Sequence, residues 1–556
     1  MRFSPLLALL LSVATDQVTL ARQPVRARSA MVVSREAHST DAGLAVLRAG
    51  GNAVDAAVAV GFALAVTHPA AGNLGGGGFM LIRFADGRST FLDFRERAPR
   101  KASRNMYLGP DGKPTEESLV GWRAAAVPGT VKGLEYAAEK YGRKPWAELV
   151  APAIELASKG FPVSWGLAQS LRGTKKLNRF PESKRIFLKG GAFYEPGERL
   201  LQPELAATLK RIAAAGARDF YEGETARRLV EAMTAHGGLW TAEDLKNYAV
   251  VERRPLTGRY RGYDILTAPP PSSGGVGILE MLGMLEGSGY QKPGAGSAAA
   301  IHYLAEVMRR YYADRSEYLG DPDFVRVPVA GLLNPAYLAR LRASIDSGRA
   351  TPSAQVRPGR PPGEESSETT HYSIVDREGT AVAVTYTLNG GYGCGVTAPG
   401  LGFLLNNEMD DFAARPGAPN SYGLVQGERN AIQPGKRPLS SMTPTIVLRE
   451  GRLYLVVGSP GGPRIITTVL EVLINVLDFG MEIQAAVDWP RFHHQWLPDK
   501  LYLEGGFSPD TAALLEARGH TLERVGSIGE VAAILVAEKW LEGAADSRVE
   551  GKAAGY

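Results

Sequence analysis

One threonine follows an abrupt change in composition and is well placed to act as a nucleophile. Residues 350–368 (ATPSAQVRPGRPPGEESSE) are rich in Pro, Gly, Ser and Glu, which is typical of a solvated connector. Two β-rich runs, 371–375 and 380–388, follow directly. Taken alone, Thr369 is most simply a residue that favours strands. Cleavage between Glu368 and Thr369 would create an α-amine that can act as base for the threonine hydroxyl.

The spacing of the two β-rich runs predicts a partner for this threonine. Residues 376–379 (DREG) have the composition of a short hairpin loop with glycine in the left-handed position. If Asp376 pairs with Thr380, paired residue numbers sum to 756 and Thr369 lies opposite Thr387. Their Cβ atoms would then be about 5 Å apart. We expect Thr387 to hold the hydroxyl or the amine of Thr369, although a one-residue slip would separate them.

The chain contains several long motifs in a fixed order. They are Asn73–Met80 (NLGGGGFM), Asp314–Pro322 (DRSEYLGDP), Thr369–Ser373 (TTHYS), Ala383–Asn389 (AVTYTLN), Pro438–Met442 (PLSSM) and Gly458–Gly462 (GSPGG). Together they resemble one enzyme family, the γ-glutamyltranspeptidases (glutathione hydrolases), and the match runs from about residue 26 to near 530. The bacterial periplasmic members are the most similar.

The resemblance implies a fold and a maturation step. The fold would be α/β (α+β), the four-layered αββα sandwich of the N-terminal-nucleophile hydrolases. The proenzyme would cut itself before Thr369 into a large subunit (residues 25–368) and a small subunit (residues 369–556), which together form one αββα unit. The small-molecule substrates would be glutathione, related γ-glutamyl compounds, and amino-acid or peptide acceptors. No cofactor and no metal are implied.

The resemblance also implies a donor site that grips both charges of an α-amino acid. A guanidinium suits a planar carboxylate, and ionised carboxylates accept hydrogen bonds from a cation. The residues that match the α-carboxylate site are Arg95, Ser440 and Ser441. The residues that match the α-ammonium site are Asn389, Glu408 and Asp411. Without the resemblance, the simplest interpretations are a surface ion pair of Arg95 with Glu96, a serine turn and a solvated acidic loop.

Two glycines and a tyrosine complete the expected site. Gly461 and Gly462 match the family's oxyanion hole, where glycine lets backbone N–H groups approach the developing charge. Alone, they would indicate a strand-to-helix turn. Tyr422 matches the tyrosine of a loop that covers the pocket. In the implied reaction, Thr369 attacks a γ-glutamyl amide, and the resulting ester is released to water or to an acceptor.

The composition excludes several other classes. Hydrophobic residues are 44% and charged residues 22% of 556, as in soluble globular proteins. The formal charge of 63 − 58 = +5, without a long basic run, does not indicate nucleic-acid binding. Cys394 is the single cysteine, so an intramolecular disulfide and thiolate metal clusters are excluded. No His-Glu-x-x-His or Gly-x-Ser-x-Gly motif is present.

The N-terminus has the layout of a secretory signal. A basic start precedes the apolar run Leu6–Val13, and small residues at Ser12 and Ala14 mark a candidate cut after Ala14. The run is too short to span a bilayer, and a buried helix is the alternative interpretation. We therefore expect a signal peptide within residues 1–24 and export, with the periplasm as destination.

The remaining pattern predicts a mixture of helices and strands. A helix is predicted over residues 40–66, several more over 145–235, and another over 465–477. Further strands are predicted near 78–82, 91–95, 263–268, 402–405, 444–448 and 453–458. The close spacing of Gly75 to Gly78 indicates tight backbone packing, since no Lys-Ser/Thr follows to make a nucleotide loop.

Two other functions remain open. A glutaryl-cephalosporin-type acylase would share the fold and the nucleophile, but Asp411 and Tyr422 favour a substrate with an α-ammonium group. A periplasmic solute-binding protein would also be exported and α/β, but it needs neither a nucleophile nor cleavage.

Overall fold

The computed structural model describes residues 22–359 and 371–556. The strands of these residues are β1 Val25–Ala27, β2 Met31–Ser34, β3 Gly77–Arg83, β4 Ser89–Phe94, β5 Phe161–Pro162, β6 Arg199–Leu200, β7 Val251–Arg253, β8 Leu256–Tyr260, β9 Tyr263–Thr267, β10 His371–Val375, β11 Ala381–Thr387, β12 Thr445–Arg449, β13 Arg452–Gly458, β14 Phe492–His493, β15 Leu501–Leu503, β16 Leu522–Arg524, β17 Ala532–Ala537, β18 Trp540–Ala545 and β19 Lys552–Gly555.

The α-helices of the same residues cluster in three stretches of the chain: before the first hairpin, through the middle, and after β13. They are α1 Ala37–Arg48, α2 Ala53–Thr67, α3 Thr130–Tyr141, α4 Trp146–Lys159, α5 Trp165–Gly173, α6 Pro181–Phe187, α7 Pro203–Ala215, α8 Ala217–Tyr221, α9 Glu224–Ala235, α10 Ala242–Lys246, α11 Gly274–Leu285, α12 Ala298–Tyr318, α13 Val329–Leu332, α14 Pro335–Ala343, α15 Arg464–Leu477, α16 Ile483–Asp488 and α17 Pro509–Ala517.

Two seven-stranded antiparallel sheets form the centre of the molecule. The first sheet has the strand order β1-β18-β17-β13-β12-β9-β8, and the second has the order β19-β2-β10-β11-β3-β4-β7. Apolar side chains from both sheets, among them Leu81, Val456 and Ile534, are fully buried in one cluster. The two sheets therefore stack face to face around a shared apolar core.

Helices cover the outer face of each sheet. The alanine-rich α2 is buried along its whole length and shares a core with the second sheet. On the other side, α11 and α15 share a core with the first sheet. The resulting order of layers is helix, sheet, sheet, helix, and the predicted αββα sandwich is confirmed.

The predicted hairpin register is also confirmed. Pairing in the β10–β11 hairpin runs from His371 with Thr385 to Val375 with Ala381, so paired residue numbers sum to 756. Gly379 closes the loop with φ of 87°, the left-handed conformation that favours glycine. Glu368 and Thr369 lie outside the described residues, so the position of Thr369 opposite Thr387 stays a prediction.

Two predicted elements are wrong. The single helix expected over residues 40–66 is two helices, because Gly50 has a φ of 88° and Asn52 caps a new helix with its side chain. The strand expected at 402–405 is reduced to isolated bridges at Leu404 and Leu405.

The glycine run does pack tightly, as predicted. A Cβ atom at Gly76 would lie 1.8 Å from the carbonyl oxygen of Thr387, and one at Gly78 would lie 2.5 Å from that of Thr385. Only glycine allows the chain to approach the end of β11 this closely. The run therefore fixes the backbone at Thr387.

No α-helix among residues 22–359 and 371–556 is long and apolar enough to cross a membrane. The predicted signal segment, with Leu6–Val13 and Ala14, falls in residues 1–21, outside the described residues.

Candidate active site

The last residue of β11, Thr387, is buried and firmly held. Its hydroxyl oxygen accepts a hydrogen bond of 2.7 Å from the backbone amide of Asn389. Its carbonyl oxygen accepts another of 2.8 Å from the side chain of Asn73. The threonine predicted to assist the nucleophile thus has a fixed side chain at the end of a central strand.

A glycine turn joins β13 to α15 beside this threonine. Gly461 and Gly462 have φ angles of 133° and 59°, and their carbonyl groups accept from the amides of Arg464 and Ile465. Within residues 22–359 and 371–556, neither glycine amide donates to an acceptor. Two unused N–H groups ahead of a helix N-terminus can stabilise a developing oxyanion. The turn indicated by the sequence is therefore present, and the role of its amides as an oxyanion hole stays a prediction.

Tyr422, the predicted lid residue, lies against this glycine turn. Its hydroxyl group donates to the carbonyl oxygen of Asn389 at 3.1 Å. Its ring lies 3.0 Å from where a Cβ atom on Gly462 would be. A cleft of about 350 Å³ is lined by Thr387, Asn389, Tyr422, Gly461 and Gly462. The structure thus brings five of the predicted site residues together around one open space.

Arg95, which follows β4, is completely buried. Its guanidinium donates to Glu408, to Asp411 at 2.6 Å and to the carbonyl oxygen of Leu439 at 3.2 Å. Glu96 lies 3.5 Å away and is also buried, so the surface ion pair considered from the sequence is wrong. The solvated acidic loop is wrong for the same reason, since Glu408 and Asp411 are buried. The buried side chains of Arg95, Glu96, Glu408 and Asp411 form one network, which we call the Arg95 network.

Three carboxyl groups share this single guanidinium. Burial raises the pKa of Glu408 and Asp411 well above the usual range, against the opposing attraction of Arg95. Burial likewise raises the pKa of Glu96 to about 7. A proton is therefore held between Glu96 and Glu408 near neutral pH, because two adjacent buried carboxylates repel each other. A ligand ammonium group can supply the positive charge that this site lacks.

The two serines predicted to bind the α-carboxylate are buried as completely as Arg95. Ser440 and Ser441 are fully buried, and Ser441 accepts a 3.5 Å contact from Arg315. The hydroxyl of Ser440 and the side-chain oxygen of Asn389 have no hydrogen-bond partner among the described residues. Buried polar atoms without partners are uncommon and indicate positions where a ligand binds.

His371, two residues after Thr369, is the nearest histidine in the chain that could act as the base instead of the α-amine. Its Nδ1 lies 3.0 Å from the hydroxyl of Thr385, and its Nε2 lies 2.8 Å from the hydroxyl of Ser373. Burial lowers the pKa of His371 to about 3. A histidine with both ring nitrogens engaged and so low a pKa is a poor general base near neutral pH.

Three kinds of residue at the site could not be recognised from the sequence. Glu96 was expected only as a surface partner of Arg95, because its burial depends on residues far apart in the chain. Asn73 stood inside a quoted motif, but its bond to Thr387 depends on the pairing of β3 with β11. Arg35 and Glu530, which line the cleft, carry no local signal because they are far apart in the chain.

Comparison with known proteins agrees with this site. The model of the family "Gamma-glutamyltranspeptidase" matches residues 39–556. A glutathione hydrolase proenzyme of Escherichia coli (strain K12) is 52% identical over 538 residues, which are 96% of this chain and 93% of that protein.

Two solved structures are similar as well. A cephalosporin acylase from Bacillus halodurans aligns with a TM-score of 0.85 and 28% identity, over 100% of this chain and 99% of that one. The γ-glutamyltranspeptidase of Helicobacter pylori aligns with a TM-score of 0.58 and 43% identity, over 61% of this chain and 96% of that one. This chain belongs to the γ-glutamyltranspeptidase family and is an enzyme of that type, an N-terminal-nucleophile hydrolase made as a proenzyme that is cleaved into two subunits.

Proposed function

We propose that this γ-glutamyltransferase cuts itself between Glu368 and Thr369 and that Thr369 is its nucleophile. The observation that carries the proposal is the β10–β11 register, in which His371 pairs with Thr385. Two residues further along the same ladder, Thr369 would face Thr387. The large subunit is then residues 25–368 and the small subunit residues 369–556.

The reaction begins with attack of the Thr369 hydroxyl on the γ-carbonyl of glutathione or a related γ-glutamyl compound. The α-amine of Thr369 takes the hydroxyl proton and passes it to the leaving amine. The amides of Gly461 and Gly462 stabilise the oxyanion. The γ-glutamyl ester is then released to water or to an amino-acid or peptide acceptor.

The Arg95 network selects the donor. The α-carboxylate binds Arg95 together with the hydroxyls of Ser440 and Ser441, and the α-ammonium binds Asn389, Glu408 and Asp411. Gripping both charges fixes the γ-carbonyl at the nucleophile, which is where proximity lowers the barrier. Tyr422 closes over the bound donor.

An acylase acting on glutaryl amides is the second candidate, because the acylase from Bacillus halodurans aligns over the whole chain. The fold is common to both activities and does not separate them. The buried carboxyl groups distinguish the two activities, since a glutaryl group has no ammonium to balance the negative charge of Glu408 and Asp411. This favours γ-glutamyl donors.

We further propose that the chain is exported to the periplasm by a signal peptide within residues 1–24. The apolar run Leu6–Val13 and the small residues that follow support this.

A denaturing gel of the purified protein tests the cleavage. Wild type should give two chains, the smaller beginning with Thr369 on N-terminal sequencing. Thr369→Ala should stay one chain and be inactive, whereas Thr369→Ser, which keeps a hydroxyl, should still be cut. An active wild-type protein that runs as one uncut band would exclude this mechanism.

Substrate class is tested with matched p-nitroanilides of the γ-glutamyl and glutaryl groups. Wild type should prefer the γ-glutamyl compound, and Asp411→Asn should shift the ratio of the two kcat/KM values towards the glutaryl compound. An unchanged ratio would remove Asp411 from the ammonium site.

A further inference from the structure

The cleft at Thr387 shares part of its wall with a larger cavity. The two spaces, of about 350 and 630 Å³, share Arg35, His68 and Ala70 in their walls. None of the charged groups of the Arg95 network lines either space. The larger cavity, and the part of the cleft that adjoins it, are therefore available to the leaving group and the acceptor, on the other side of the scissile amide from the donor.

An ion pair lies at the junction of the two spaces. A guanidinium nitrogen of Arg35 is 2.5 Å from a carboxylate oxygen of Glu530, and their side chains are 28% and 29% exposed. Arg35 lines both spaces, and Glu530 lines the cleft. Because both side chains are accessible, each can give up its partner in the ion pair and bind an oppositely charged group of a ligand instead.

The backbone places Glu530 beside the glycine turn. Its amide donates to the hydroxyl of Ser459 at 2.9 Å. The preceding residue, Gly529, has its Cα atom 3.3 Å from where a Cβ on Gly461 would be. Glu530 is thus tied to the loop that carries the oxyanion amides, while Arg35 reaches outwards into the larger cavity.

We propose that Arg35 and Glu530 form an acceptor subsite for zwitterionic amino acids and short peptides. The acceptor carboxylate binds Arg35, because a guanidinium matches a planar carboxylate with paired hydrogen bonds. The acceptor amine lies beside Glu530, next to the oxyanion loop. The inference rests on the proposed function, since it needs a γ-glutamyl ester at Thr369.

The transfer step balances with groups already named. The acceptor ammonium first releases one proton to water. The resulting neutral amine attacks the ester carbon, so a C–N bond forms and the bond from carbon to the Thr369 oxygen breaks. The amine proton passes to the α-amine of Thr369 and from there to the released threonine oxygen. The cysteinylglycine part of glutathione carries the same carboxylate, and it becomes a zwitterion once the amide bond is cut, so the same subsite holds the leaving group in the first step.

The larger cavity takes the rest of the acceptor. Its wall includes Trp165, whose side chain is 65% exposed, together with Pro162 and His38. An exposed indole beside a charged pair offers stacking to an apolar or aromatic acceptor side chain.

The test uses γ-glutamyl-p-nitroanilide as donor, because its leaving group carries no carboxylate. Two acceptors are compared, a dipeptide with a free carboxylate and the same dipeptide as its C-terminal amide. In wild type, the acceptor KM should be lower for the free carboxylate by on the order of 10- to 100-fold. Arg35→Gln should abolish this preference. Arg26→Gln, which breaks an ion pair of 2.8 Å with Glu542 elsewhere on the surface, should retain it.

Two results would overturn the subsite: a wild type without the preference, or an Arg35→Gln enzyme that keeps it. The double variant Arg35→Glu with Glu530→Arg restores an ion pair with its direction reversed. Recognition of the acceptor predicts that the preference stays lost there, whereas its return would show that the pair is only structural. Absence of p-nitroaniline release from wild type would refute the proposed function itself, whereas release without acceptor preference refutes only the subsite.

Discussion

The backbone amide of Asn389 donates a 2.7 Å hydrogen bond to the hydroxyl oxygen of Thr387. The hydroxyl of Thr387 keeps its proton for donation and one further lone pair for acceptance. We propose that it donates its proton towards the position that we assign to Thr369. In that role Thr387 would hold and polarise the nucleophile without taking its proton.

We therefore expect Thr387→Val to lower kcat while leaving the fold intact, because valine has nearly the same shape and no hydroxyl. The loss should be roughly 5- to 10-fold or more, the effect of one hydrogen bond. Thr387→Ser is the matched control and should retain most of the activity. Equal activity of the valine and serine variants would contradict the donor role.

Arg95→Ala should raise the KM for γ-glutamyl donors on the order of 10- to 100-fold, since it removes a charged contact to the α-carboxylate. It should also lower the melting temperature, because Glu96, Glu408 and Asp411 lose their common counterion. Arg227→Ala, which removes an exposed arginine paired with Glu224, is the control. Steady-state kinetics with unchanged kcat/KM would refute the carboxylate role.

His371→Ala should keep a substantial part of kcat once the protein has been cleaved. The pH profile should still show a group that titrates in the range of an α-amine, about 8. A loss of roughly 10²- to 10⁴-fold in the cleaved variant would identify the histidine as the general base and refute the amine.

Gly461→Ala should reduce kcat by roughly 10²- to 10³-fold, the effect of losing an oxyanion donor. Its φ of 133° is unfavourable for alanine, so the turn must shift. Gly379→Ala is the matched control, since its φ of 87° is also left-handed but it lies in the hairpin loop with no atom within 4 Å of the new Cβ. The control should lose stability but not kcat. Equal kcat losses in the two variants would count against a special role for Gly461.

The titration of Glu96 should make the stability of the folded protein decrease as the pH rises. Burial raises its folded pKa from 4.5 to about 7, so the folded state retains a proton that the unfolded state has released. Its contribution to stability is present below pH 4.5 and is lost as the pH rises through 7. The melting temperature of wild type should therefore fall relative to that of Glu96→Gln over this interval. Parallel curves for the two proteins would show that Glu96 does not titrate there.

The structural features that could be predicted from the sequence are those set by residues close together in the chain. The hairpin was predictable because the loop Asp376–Gly379 sets its own register and β10 and β11 are adjacent in the chain. Tight packing at Gly76 was predictable because a run of glycines has few other uses. The identities of the donor residues came with the family motifs, but not their burial, since Arg95 meets Glu408 only after distant segments fold together.

The failures have equally specific causes. The alanine-rich stretch 40–66 suggested one helix because the pattern on either side of Gly50 is helical. In the structure, the left-handed glycine and the capping side chain of Asn52 outweigh that continuity. The pairing of Arg35 with Glu530 depends on the assembly of both sheets and has no counterpart in local sequence.

The strand order has a consequence for how the mature protein denatures. Each seven-stranded sheet contains strands from before residue 360 and strands from after residue 370. In one sheet, β2 lies between β19 and β10, and β11 pairs with β3. After cleavage the two polypeptides are interleaved within the same hydrogen-bonded ladders, so neither can leave without dismantling both sheets. The precursor can refold as a single molecule, but the denatured mature enzyme must first reunite two chains. Its recovery from denaturant should therefore depend on protein concentration, whereas that of uncut Thr369→Ala should not.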